Sequence, residues 1–357
     1  MRSFPVRTPQ RDYCALVERG LIEHAAQHIP GKTGRVFVIS TEDVWRHQGA
    51  RLERGLAGIA HEVLFLPGGE EQKRLAPIET LAEEMVRRGG DRSSLVIAFG
   101  GGVVNDMAGF LAAIFMRGIP VIQVPTTLLA QVDAGIGGKT GVNLVAGKNL
   151  VGAFHQPLAV LIDPAALDTL PAREYRAGLF EVLKAGVIRS EPLFRTLAGR
   201  SEEVLRHEPQ LVEEIIAESV RIKAEVVSAD EREGGLRRIL NFGHTIGHAL
   251  EAETAYERFL HGEAVAFGMR AAVYLAERSG YLSAEDSLDI LDAIDLYGPI
   301  PSLEGISPER LFARLASDKK TVQGKVHFVL PVRIGEVTVV SGLDDALVTA
   351  AIRTALQ

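Results

Sequence analysis

The sequence predicts an α/β N-terminal domain of the nucleotide-binding type, with a parallel sheet, followed by a mostly α-helical C-terminal domain. In the first half of the chain, short β-branched apolar runs alternate with stretches of helical periodicity, as in parallel sheets covered by helices. In the second half, amphipathic helical stretches follow one another with few strand candidates. A glycine-rich segment also joins one predicted strand directly to a predicted helix.

The individual elements follow from the same patterns. Apolar runs predict strands at residues 35–40, 63–66, 94–99, 121–124 and 159–162, and helical periodicity predicts helices at 78–88 and 106–115. The pattern changes near Thr169–Pro171, so we place the domain boundary there, giving domains 1–170 and 171–357. The second domain has predicted helices at 174–188, 202–206, 209–227, 245–255, 262–278 and 284–297, and predicted strands at 326–330 and 336–340.

Composition narrows the class of protein. The chain has 357 residues, of which 46% are hydrophobic and 24% charged, which excludes a disordered or collagen-like chain. A net charge of −7 gives no electrostatic footprint for nucleic acid or an anionic membrane. Cys14 is the single cysteine, so no intrachain disulfide forms. The sequence shows neither a long apolar run nor a secretory signal, and we expect a cytoplasmic protein with a small-molecule partner.

A strand, three glycines and a helix follow one another in the segment Ala98–Gly109. Glycines let the backbone approach a ligand closely, and the N–H groups at a helix start favour phosphate. The spacing is not that of the dinucleotide fingerprint Gly-x-Gly-x-x-Gly, and a turn that merely needs glycine fits equally well. Open α/β sheets bind ligands at such turns, which favours a nucleotide site.

Two lysines lie in a polar, glycine-rich stretch that follows Pro125–Asp133. Lys139 and Lys148 could place ammonium groups around an anion, although a solvated loop is the simpler alternative. The run Gly-Gly-Lys-Thr at residues 137–140 is superficially like a Walker A loop. The first glycine of that motif would be residue 133, which is Asp133, so we reject a nucleoside triphosphatase.

Three histidines form the most specific candidate site in the sequence. His244 and His248 are four residues apart, which places them on one face of a helix, and His261 begins the next predicted helix. Imidazoles with one carboxylate and open positions suit zinc or a similar divalent ion. Glu181 is the candidate carboxylate, because a charge within its apolar helix needs a reason. Three histidines compete for about two ligand places, and this spacing also occurs in helices that bind no metal.

Basic side chains flank the histidines along the chain, with Lys223, Arg237 and Arg238 before them and Lys319 and Lys320 after them. Charges of this kind usually lie on solvated faces. Together they could also line a pocket for a carboxylate or a phosphate, whatever the net charge of the chain.

The ordered set of motifs resembles the 3-dehydroquinate synthase family of sugar phosphate cyclases along nearly the whole chain. The segments that carry the resemblance are Pro67–Lys73, Gly100–Asp106, Pro125–Asp133, Gly137–Asn143, Gly147–Asn149, Gly152–Pro157, Thr169–Pro171, Glu181–Lys184, Asn241–His248 and His261–Glu263. The resemblance implies a homodimeric carbon–oxygen lyase of the shikimate pathway that needs NAD and one divalent metal, zinc or cobalt. Such an enzyme converts 3-deoxy-D-arabino-heptulosonate 7-phosphate to 3-dehydroquinate and phosphate. The implied steps are transient oxidation by NAD, phosphate elimination, reduction and intramolecular aldol closure.

The resemblance also assigns residues. It implies that Glu181, His244 and His261 bind the metal and that His248 handles protons or binds substrate, with Lys148, Asn149 and Lys184 as further catalytic residues. The implied cofactor-binding residues are Gly68, Gly69, Glu70, Glu71, Gln72, Lys73, Gly101, Gly102, Val103, Val104, Asn105, Asp106, Thr126, Thr127, Lys139, Lys148 and Thr169. The implied substrate-binding residues are Arg117, Asp133, Lys139, Lys148, Asn149, Lys184, Lys223, Arg237, Asn241 and His248. A lysine near the C-terminus, Lys319 or Lys320, is also expected to reach the site.

Several alternatives remain beside this assignment. Asn105 stands where many family members have glycine, and Asp133–Ile136 differs from the serine-rich version that is common in the family. Sister cyclases that use sedoheptulose 7-phosphate or glucose 6-phosphate, an enzyme for an aminated substrate, a metal-dependent polyol dehydrogenase and an inactive descendant are the competing hypotheses. Asn241, His248 and Arg237 favour the first assignment, because the sister cyclases generally alter the first two and their substrates lack the carboxylate that Arg237 suits.

Overall fold

The computed structural model describes residues 1–318 and 326–357. Two compact units make up these residues: Met1–Pro171 with Val212–Arg232, and Ala172–Leu211 with Glu233–Gln357. The break after Pro171 lies one residue from the boundary expected from sequence, whereas residues 212–232 belong to the first unit and not to the C-terminal part in which we placed them. As limits of functional domains, 1–170 and 171–357 stay a prediction.

A largely parallel sheet forms the centre of the first unit. Its strands are β1 (Arg2–Val6), β2 (Tyr13–Val17), β3 (Val36–Ser40), β4 (His61–Phe65), β5 (Leu95–Gly100), β6 (Val121–Pro125) and β9 (Ala159–Ile162). The strand order among the described residues is β1-β2-β9-β6-β5-β3-β4, and only β1 is antiparallel to its neighbour. The parallel sheet expected from sequence is confirmed, with an antiparallel edge strand that the sequence analysis missed.

Helices cover both faces of this sheet. The helices α1 (Glu42–Gly55), α2 (Leu75–Arg87) and α3 (Gly102–Ile114) connect the strands. Phe37 and Ile39 of β3 pack into a core that contains side chains of α2 and α3. Val36 and Val38 point to the other face, into a core with Leu52 of α1. Burial on both faces explains why these strands are continuous apolar runs.

The order of the strands reverses between β3 and β5. From β3 the chain continues outward to β4, whereas β5 lies on the other side of β3 and leads on to β6. Open α/β sheets bind ligands outside the carboxyl ends of their strands at such a reversal. The segments that follow β4, β5 and β6 are therefore the expected ligand-binding segments of the first unit.

Two further strands, β7 (Lys139–Leu144) and β8 (Gly147–Phe154), form an antiparallel hairpin. Thr140 Oγ1 donates a hydrogen bond to the carbonyl oxygen of Ala153 at 2.8 Å across this hairpin. The hairpin contains both lysines of the glycine-rich stretch. The alternative of a solvated loop is therefore wrong for its backbone, which pairs as a sheet.

The second unit is mostly helical, as expected. Its helices are α4 (Ala172–Arg189), α5 (Glu191–Gly199), α6 (Ser201–Leu205), α8 (His244–Glu253), α9 (His261–Arg278), α10 (Ala284–Leu296), α11 (Pro308–Asp318) and α12 (Asp345–Ala355). The strands β10 (His327–Arg333) and β11 (Glu336–Ser341) pair in antiparallel fashion, and α7 (Pro209–Ala229) crosses the division between the units. Among the described residues, none of the helices combines the length and apolarity that a membrane crossing requires.

Glycines bring three helices of the second unit into backbone contact. A Cβ atom at Gly262 would overlap the carbonyl oxygen of Ala177 in α4. A Cβ atom at Gly268 would overlap the carbonyl oxygen of Gly243 and lie 2.8 Å from the backbone nitrogen of Gly247 in α8. The helix α9 therefore packs against α4 and α8 more closely than any larger residue at these two positions permits.

A half-buried histidine of the first unit makes stability depend on pH. His155 Nε2 lies 2.8 Å from the carbonyl oxygen of Ile119, and burial lowers the pKa of His155 below its ordinary value. The unfolded chain therefore takes up the proton more readily, so stability falls as pH drops below the ordinary histidine pKa of about 6.5. We expect His155→Gln, whose amide can donate to the same carbonyl, to lose less stability than the unsubstituted chain between about pH 7.5 and about pH 5. Urea unfolding midpoints measure this, and an equal loss in both proteins would contradict it.

Candidate active site

Apart from Lys139 and Lys148 of the hairpin, the residues predicted to bind NAD follow parallel strands of the sheet. Gly68–Lys73 follows β4, Gly101–Asp106 follows β5, and Thr126 with Thr127 follows β6. Thr169 ends the short helical segment after β9, where its Oγ1 accepts a hydrogen bond from Gln48 Nε2 at 2.6 Å. Because the carboxyl ends of parallel strands share one edge of the sheet, the fold gathers these segments at that edge.

The glycine turn after β5 packs against the segment after β6. The Thr126 N–H donates to the carbonyl oxygen of Gly100 at 2.9 Å, and a Cβ atom at Gly101 would lie 3.0 Å from Thr127 Cγ2. Val104 and Asn105 are buried, and Asn105 Nδ2 donates to the carbonyl oxygen of Ala98 at 3.3 Å. The buried Asn105 thus supports the turn from within.

A buried ammonium group connects the predicted cofactor and substrate residues of the first unit. Lys73 is 3% exposed, and its Nζ donates to Asp106 Oδ2 at 2.5 Å and to Asn149 Oδ1 at 2.6 Å. Burial raises the pKa of Asp106, and the Lys73 ammonium opposes that shift. Lys148 Nζ lies 3.7 Å from Glu70 Oε1. Lys73, Asp106 and Asn149 therefore form one hydrogen-bonded group, and Lys148 and Glu70 form a separate ion pair.

The other predicted residues of the first unit have varied surroundings. Lys223 Nζ of α7 donates to Asp133 Oδ1 at 2.5 Å, so these two substrate candidates are paired. Arg117 is exposed in a turn and has a left-handed backbone with φ of 70°. Lys139 is exposed at the start of β7. Gly68, Gly69, Glu71 and Gln72 are exposed, and Gly102 and Val103 are half-buried.

In the second unit, two imidazoles converge on one carboxylate. Glu181 of α4 has a side chain only 1% exposed, and its Oε1 lies 3.7 Å from His244 Nε2 and 3.7 Å from His261 Nε2. His244 begins α8 and His261 begins α9, so the starts of two helices supply the two rings. Lys184 Nζ, one turn along α4, lies 2.5 Å from Glu181 Oε2.

The opposite nitrogen of each ring faces an acceptor. His244 Nδ1 lies 3.2 Å from the carbonyl oxygen of Phe242, and His261 Nδ1 lies 3.3 Å from Glu251 Oε1. An acceptor at Nδ1 places the proton there and leaves the Nε2 lone pair for a metal. Neither carboxylate oxygen of Glu181 makes a hydrogen bond of normal geometry among the described residues. This donor set fits a divalent ion such as zinc or cobalt.

His248 lies beside this set. Its ring centroid is 5.3 Å from that of His244 and 5.8 Å from that of His261, and the three histidines each offer a nitrogen within 4.8 Å of the others. His248 Nε2 faces Glu251 Oε2 at 4.0 Å, and its side chain is 54% exposed. The structure therefore brings all three histidines together, and only His244 and His261 approach Glu181.

Two carboxylates of the second unit were missed by the sequence analysis. Glu251 lies three residues after His248 on α8 and is buried, a spacing from which it could have been inferred. Glu233 Oε1 accepts a hydrogen bond from Asn241 Nδ2 at 2.5 Å, and no sequence signal marks it within its charged loop. Arg237, a predicted substrate ligand, is only 1% exposed. Lys319 and Lys320 lie outside the described residues.

Glu251 offers a test of the metal site. Replacing Glu251 with glutamine keeps the shape of the side chain but removes the charge that faces His261 Nδ1. We expect Zn²⁺ or Co²⁺ affinity to fall about ten- to hundredfold, measured by competition with a chelator. Glu253→Gln is the control, because Glu253 lies on the same helix and pairs with Arg310 and Arg314. Equal metal affinity in the two variants would contradict the assignment.

Comparison with known proteins agrees with this fold and shows the family. The family model described as the N-terminal domain of 3-dehydroquinate synthase matches residues 63–177. The model described as the C-terminal domain of the same enzyme matches residues 178–321. A 3-dehydroquinate synthase from Solibacter usitatus (strain Ellin6076) is 70% identical over 356 residues, covering 100% of both chains.

Two solved structures are also similar along the whole chain. A 2-epi-5-epi-valiolone synthase from Streptomyces hygroscopicus subsp. jinggangensis 5008, solved with NAD⁺ and Zn²⁺, has a TM-score of 0.89, 30% identity and 98% coverage of each chain. A 2-deoxy-scyllo-inosose synthase in complex with carbaglucose-6-phosphate, NAD⁺ and Co²⁺ has a TM-score of 0.89, 26% identity and 99% coverage of each chain.

Fold and site together define a class of enzyme in which an α/β unit has turns suited to a nucleotide and a helical unit holds a carboxylate–imidazole set. Two sugar phosphate cyclases to which the chain is similar along its whole length were solved with NAD⁺ and with Zn²⁺ or Co²⁺. Within that class, the chain belongs to the 3-dehydroquinate synthase family.

Proposed function

We propose that this chain converts 3-deoxy-D-arabino-heptulosonate 7-phosphate to 3-dehydroquinate and inorganic phosphate. The observation that carries the proposal is the convergence of His244 Nε2 and His261 Nε2 on one oxygen of the buried Glu181. It occurs in a chain that is 70% identical to a 3-dehydroquinate synthase along its whole length. The reaction makes the enzyme a carbon–oxygen lyase acting on a phosphate, in the shikimate pathway to chorismate and the aromatic amino acids.

NAD and one divalent metal, zinc or cobalt, are the cofactors of this proposal. Glu181, His244 and His261 would hold the metal, and the turns Gly68–Lys73 and Gly101–Asp106 would hold NAD together with the other cofactor candidates named above. When bound, these groups supply a hydride acceptor that is regenerated and a Lewis acid that orients substrate hydroxyls. Two similar solved proteins, which hold NAD⁺ with Zn²⁺ or Co²⁺, support this pair of cofactors.

The residues of the chain itself bind and orient an anionic substrate. In the first unit, Lys148 and Asn149 are adjacent on β8, and an ammonium and an amide there would form charge-assisted hydrogen bonds to phosphate oxygens. Lys139 and Arg117 add positive charge for the same group. In the second unit, the planar guanidinium of Arg237 suits the substrate carboxylate, which the sugar phosphates of sister cyclases lack.

Proton transfer is assigned to His248. Its ring is half exposed, so Nε2 can exchange a proton with solvent, and Glu251 Oε2 at 4.0 Å faces that nitrogen. Imidazole is the side chain whose ordinary pKa suits it to give and take a proton near neutral pH. His248 Nε2 would therefore hold or pass the proton, while Lys184 and Asn241 orient substrate hydroxyls.

In this proposal Lys184 and Lys148 act mainly on the substrate, although Lys148 is also a candidate cofactor ligand. We expect Lys148→Ala and Lys184→Ala each to slow phosphate release about ten- to hundredfold, the value of one charge-assisted hydrogen bond. NAD affinity, measured by calorimetry, should persist in both variants. Lys32→Ala, at an exposed lysine, is the control and should change neither quantity. Loss of NAD binding in Lys148→Ala or Lys184→Ala would contradict the assignment.

Substrate choice tests the proposed function against its alternatives. Phosphate release is measured with 3-deoxy-D-arabino-heptulosonate 7-phosphate, an aminated analogue of it, sedoheptulose 7-phosphate and glucose 6-phosphate, each after chelation and again after Zn²⁺ or Co²⁺ is added. Metal-dependent release from the first compound, with 3-dehydroquinate formed, is the expected result. Release from another phosphate in preference would indicate a sister cyclase or an aminated-substrate enzyme, and lasting NADH from a polyol would indicate a dehydrogenase.

Four further expectations from the sequence stay predictions. The homodimer and the cytoplasmic location are two of them, and sedimentation and fractionation would test them. The others are the reach of Lys319 or Lys320 into the site and the domain limits at residue 170. An alanine substitution at each lysine separately would show which of the two affects phosphate release.

A further inference from the structure

One asparagine of the hairpin uses its whole amide to join two segments of the first unit. Asn143 of β7 is 6% exposed, and its Nδ2 donates to the carbonyl oxygen of Glu70 at 3.3 Å and to Glu70 Oε1 at 2.8 Å. Its Oδ1 accepts from the Asn149 N–H at 2.8 Å. Its backbone N–H donates to the carbonyl oxygen of Lys73 at 2.7 Å. Asn143 thus contacts both ends of the segment 70–73 and also the start of β8.

The chemistry of the partners fixes the orientation of this amide. Both groups on the Nδ2 side are acceptors, a carboxylate and a carbonyl, and the group on the Oδ1 side is an N–H donor. A rotation of the amide by half a turn would place acceptor against acceptor on one side and donor against donor on the other. Only one arrangement satisfies all three partners, so the side chain acts as a rigid link.

A second set of hydrogen bonds connects Asn149 to Lys73, at the other end of the segment 70–73. Asn149 has a left-handed backbone with φ of 54°, and the hydrogen bond from its N–H to Asn143 holds it in that sparsely populated region. Its side-chain Oδ1 accepts from Lys73 Nζ at 2.6 Å, and Lys73 Nζ also donates to Asp106 Oδ2 at 2.5 Å. Lys148, the adjacent residue, faces Glu70 at 3.7 Å. Neither Asn149 nor Lys148 can shift without disturbing the segment 70–73.

We infer that Asn143 is a positioning residue that couples the nucleotide-binding segment Gly68–Lys73 to the phosphate-binding pair Lys148 and Asn149. A ligand that fixes either side also fixes the other through Asn143, so NAD and a phosphate-bearing ligand bind cooperatively. The inference rests on the proposed function for the roles of these two segments. It adds a residue to which the sequence analysis gave no role and a linkage between two binding events.

The proposed coupling between the NAD and phosphate sites can be measured, because it acts equally in both directions. If phosphate raises the affinity for NAD by some factor, NAD must raise the affinity for phosphate by the same factor. In the unsubstituted chain we expect saturating inorganic phosphate to lower the Kd of NAD about fivefold or more, the lower range for coupled sites. The measurement is calorimetric titration of the full chain with NAD, with and without inorganic phosphate.

Two variants and one control test the role of Asn143. Asn143→Ala removes both side-chain connections, and we expect the ratio of the two Kd values to fall to about one. Asn143→Asp has nearly the same shape and keeps an acceptor for the Asn149 N–H, but it loses the donor to Glu70, so the ratio should also collapse in a folded protein. Thr140→Val removes one hydrogen bond of the same hairpin, to Ala153, and should keep the ratio of the unsubstituted chain.

The outcomes separate the inference from the proposed function. A ratio near one in the unsubstituted chain, or an unchanged ratio in both Asn143 variants, overturns the coupling even if the enzyme makes 3-dehydroquinate. A ratio that depends on Asn143 supports the coupling. Coupled binding without turnover of 3-deoxy-D-arabino-heptulosonate 7-phosphate overturns the proposed reaction and leaves the coupling standing. A chain that binds neither NAD nor phosphate overturns both.

Discussion

Replacing Glu181 with glutamine is expected to abolish tight metal binding and to lower turnover about a thousandfold or more. A metal contributes several kcal/mol of transition-state stabilisation, and each 1.36 kcal/mol is about tenfold in rate. Glu181 is the negatively charged member of the donor set, and both His244 Nε2 and His261 Nε2 approach its Oε1 at 3.7 Å. The amide of glutamine carries no negative charge, and one of its two ends is an N–H donor that cannot bind a metal. It therefore binds zinc or cobalt poorly.

The substitution also affects the folded protein. Glu181 Oε2 lies 2.5 Å from Lys184 Nζ, and both side chains are buried. Removing one charge of a buried pair typically destabilises a protein by about 3 to 5 kcal/mol. Metal content after dialysis, turnover and the urea unfolding midpoint are therefore measured together. Glu253→Gln, at a carboxylate that pairs with two arginines, is the control. A Glu181→Gln protein that keeps one tightly bound metal would show that Glu181 is not a ligand.

Gly268→Ala is expected to weaken the metal site, although Gly268 is not one of its proposed ligands. The added Cβ would overlap the carbonyl oxygen of Gly243, which lies on the backbone directly before His244. Because the obstacle is backbone, α9 must move away from α8 to make room. Overpacking of this kind costs about 1 to 3 kcal/mol, and a displacement of about 1 Å in a catalytic group can cost about a hundredfold in rate. We expect a lower unfolding midpoint, weaker metal binding and a turnover lowered by up to about a hundredfold.

The control for this prediction is another glycine of the second unit. A Cβ atom at Gly199, in the last turn of α5, would meet nothing within 4 Å, so Gly199→Ala should leave both metal affinity and activity unchanged. A crystal structure of Gly268→Ala would show whether the separation between His244 and His261 grows. If Gly268→Ala bound metal as tightly as Gly199→Ala, the close approach of the helices would not be what positions the histidines.

The sequence predicts the elements that local pattern determines. The strands β3, β5, β6 and β9 are continuous apolar runs because both faces of the sheet are covered, and the structure confirms them within a few residues. The starts of α8 and α9 at His244 and His261 follow from the same periodicity. The strands β1 and β2 were missed, and β1, at the edge of the sheet, contains Pro5.

Elements that depend on distant contacts were not predictable in the same way. The hairpin of β7 and β8 is rich in glycine, lysine and asparagine, which are typical of loops, and it forms a sheet because its strands pair with each other. Asn143 becomes informative only once the fold brings Glu70 and Asn149 to its two ends. Glu233 lies eight residues before Asn241, and only the turn between them brings the two side chains into contact.

The proposed reaction eliminates phosphate and uses NAD catalytically. The most direct test supplies the metal-loaded enzyme with one equivalent of NAD and a large excess of 3-deoxy-D-arabino-heptulosonate 7-phosphate, and follows phosphate, 3-dehydroquinate and NADH absorbance together. We expect many equivalents of phosphate and of 3-dehydroquinate for each NAD, with no lasting NADH. Turnover that stops after one equivalent, with NADH accumulated, or the absence of phosphate release with both cofactors bound, would contradict it.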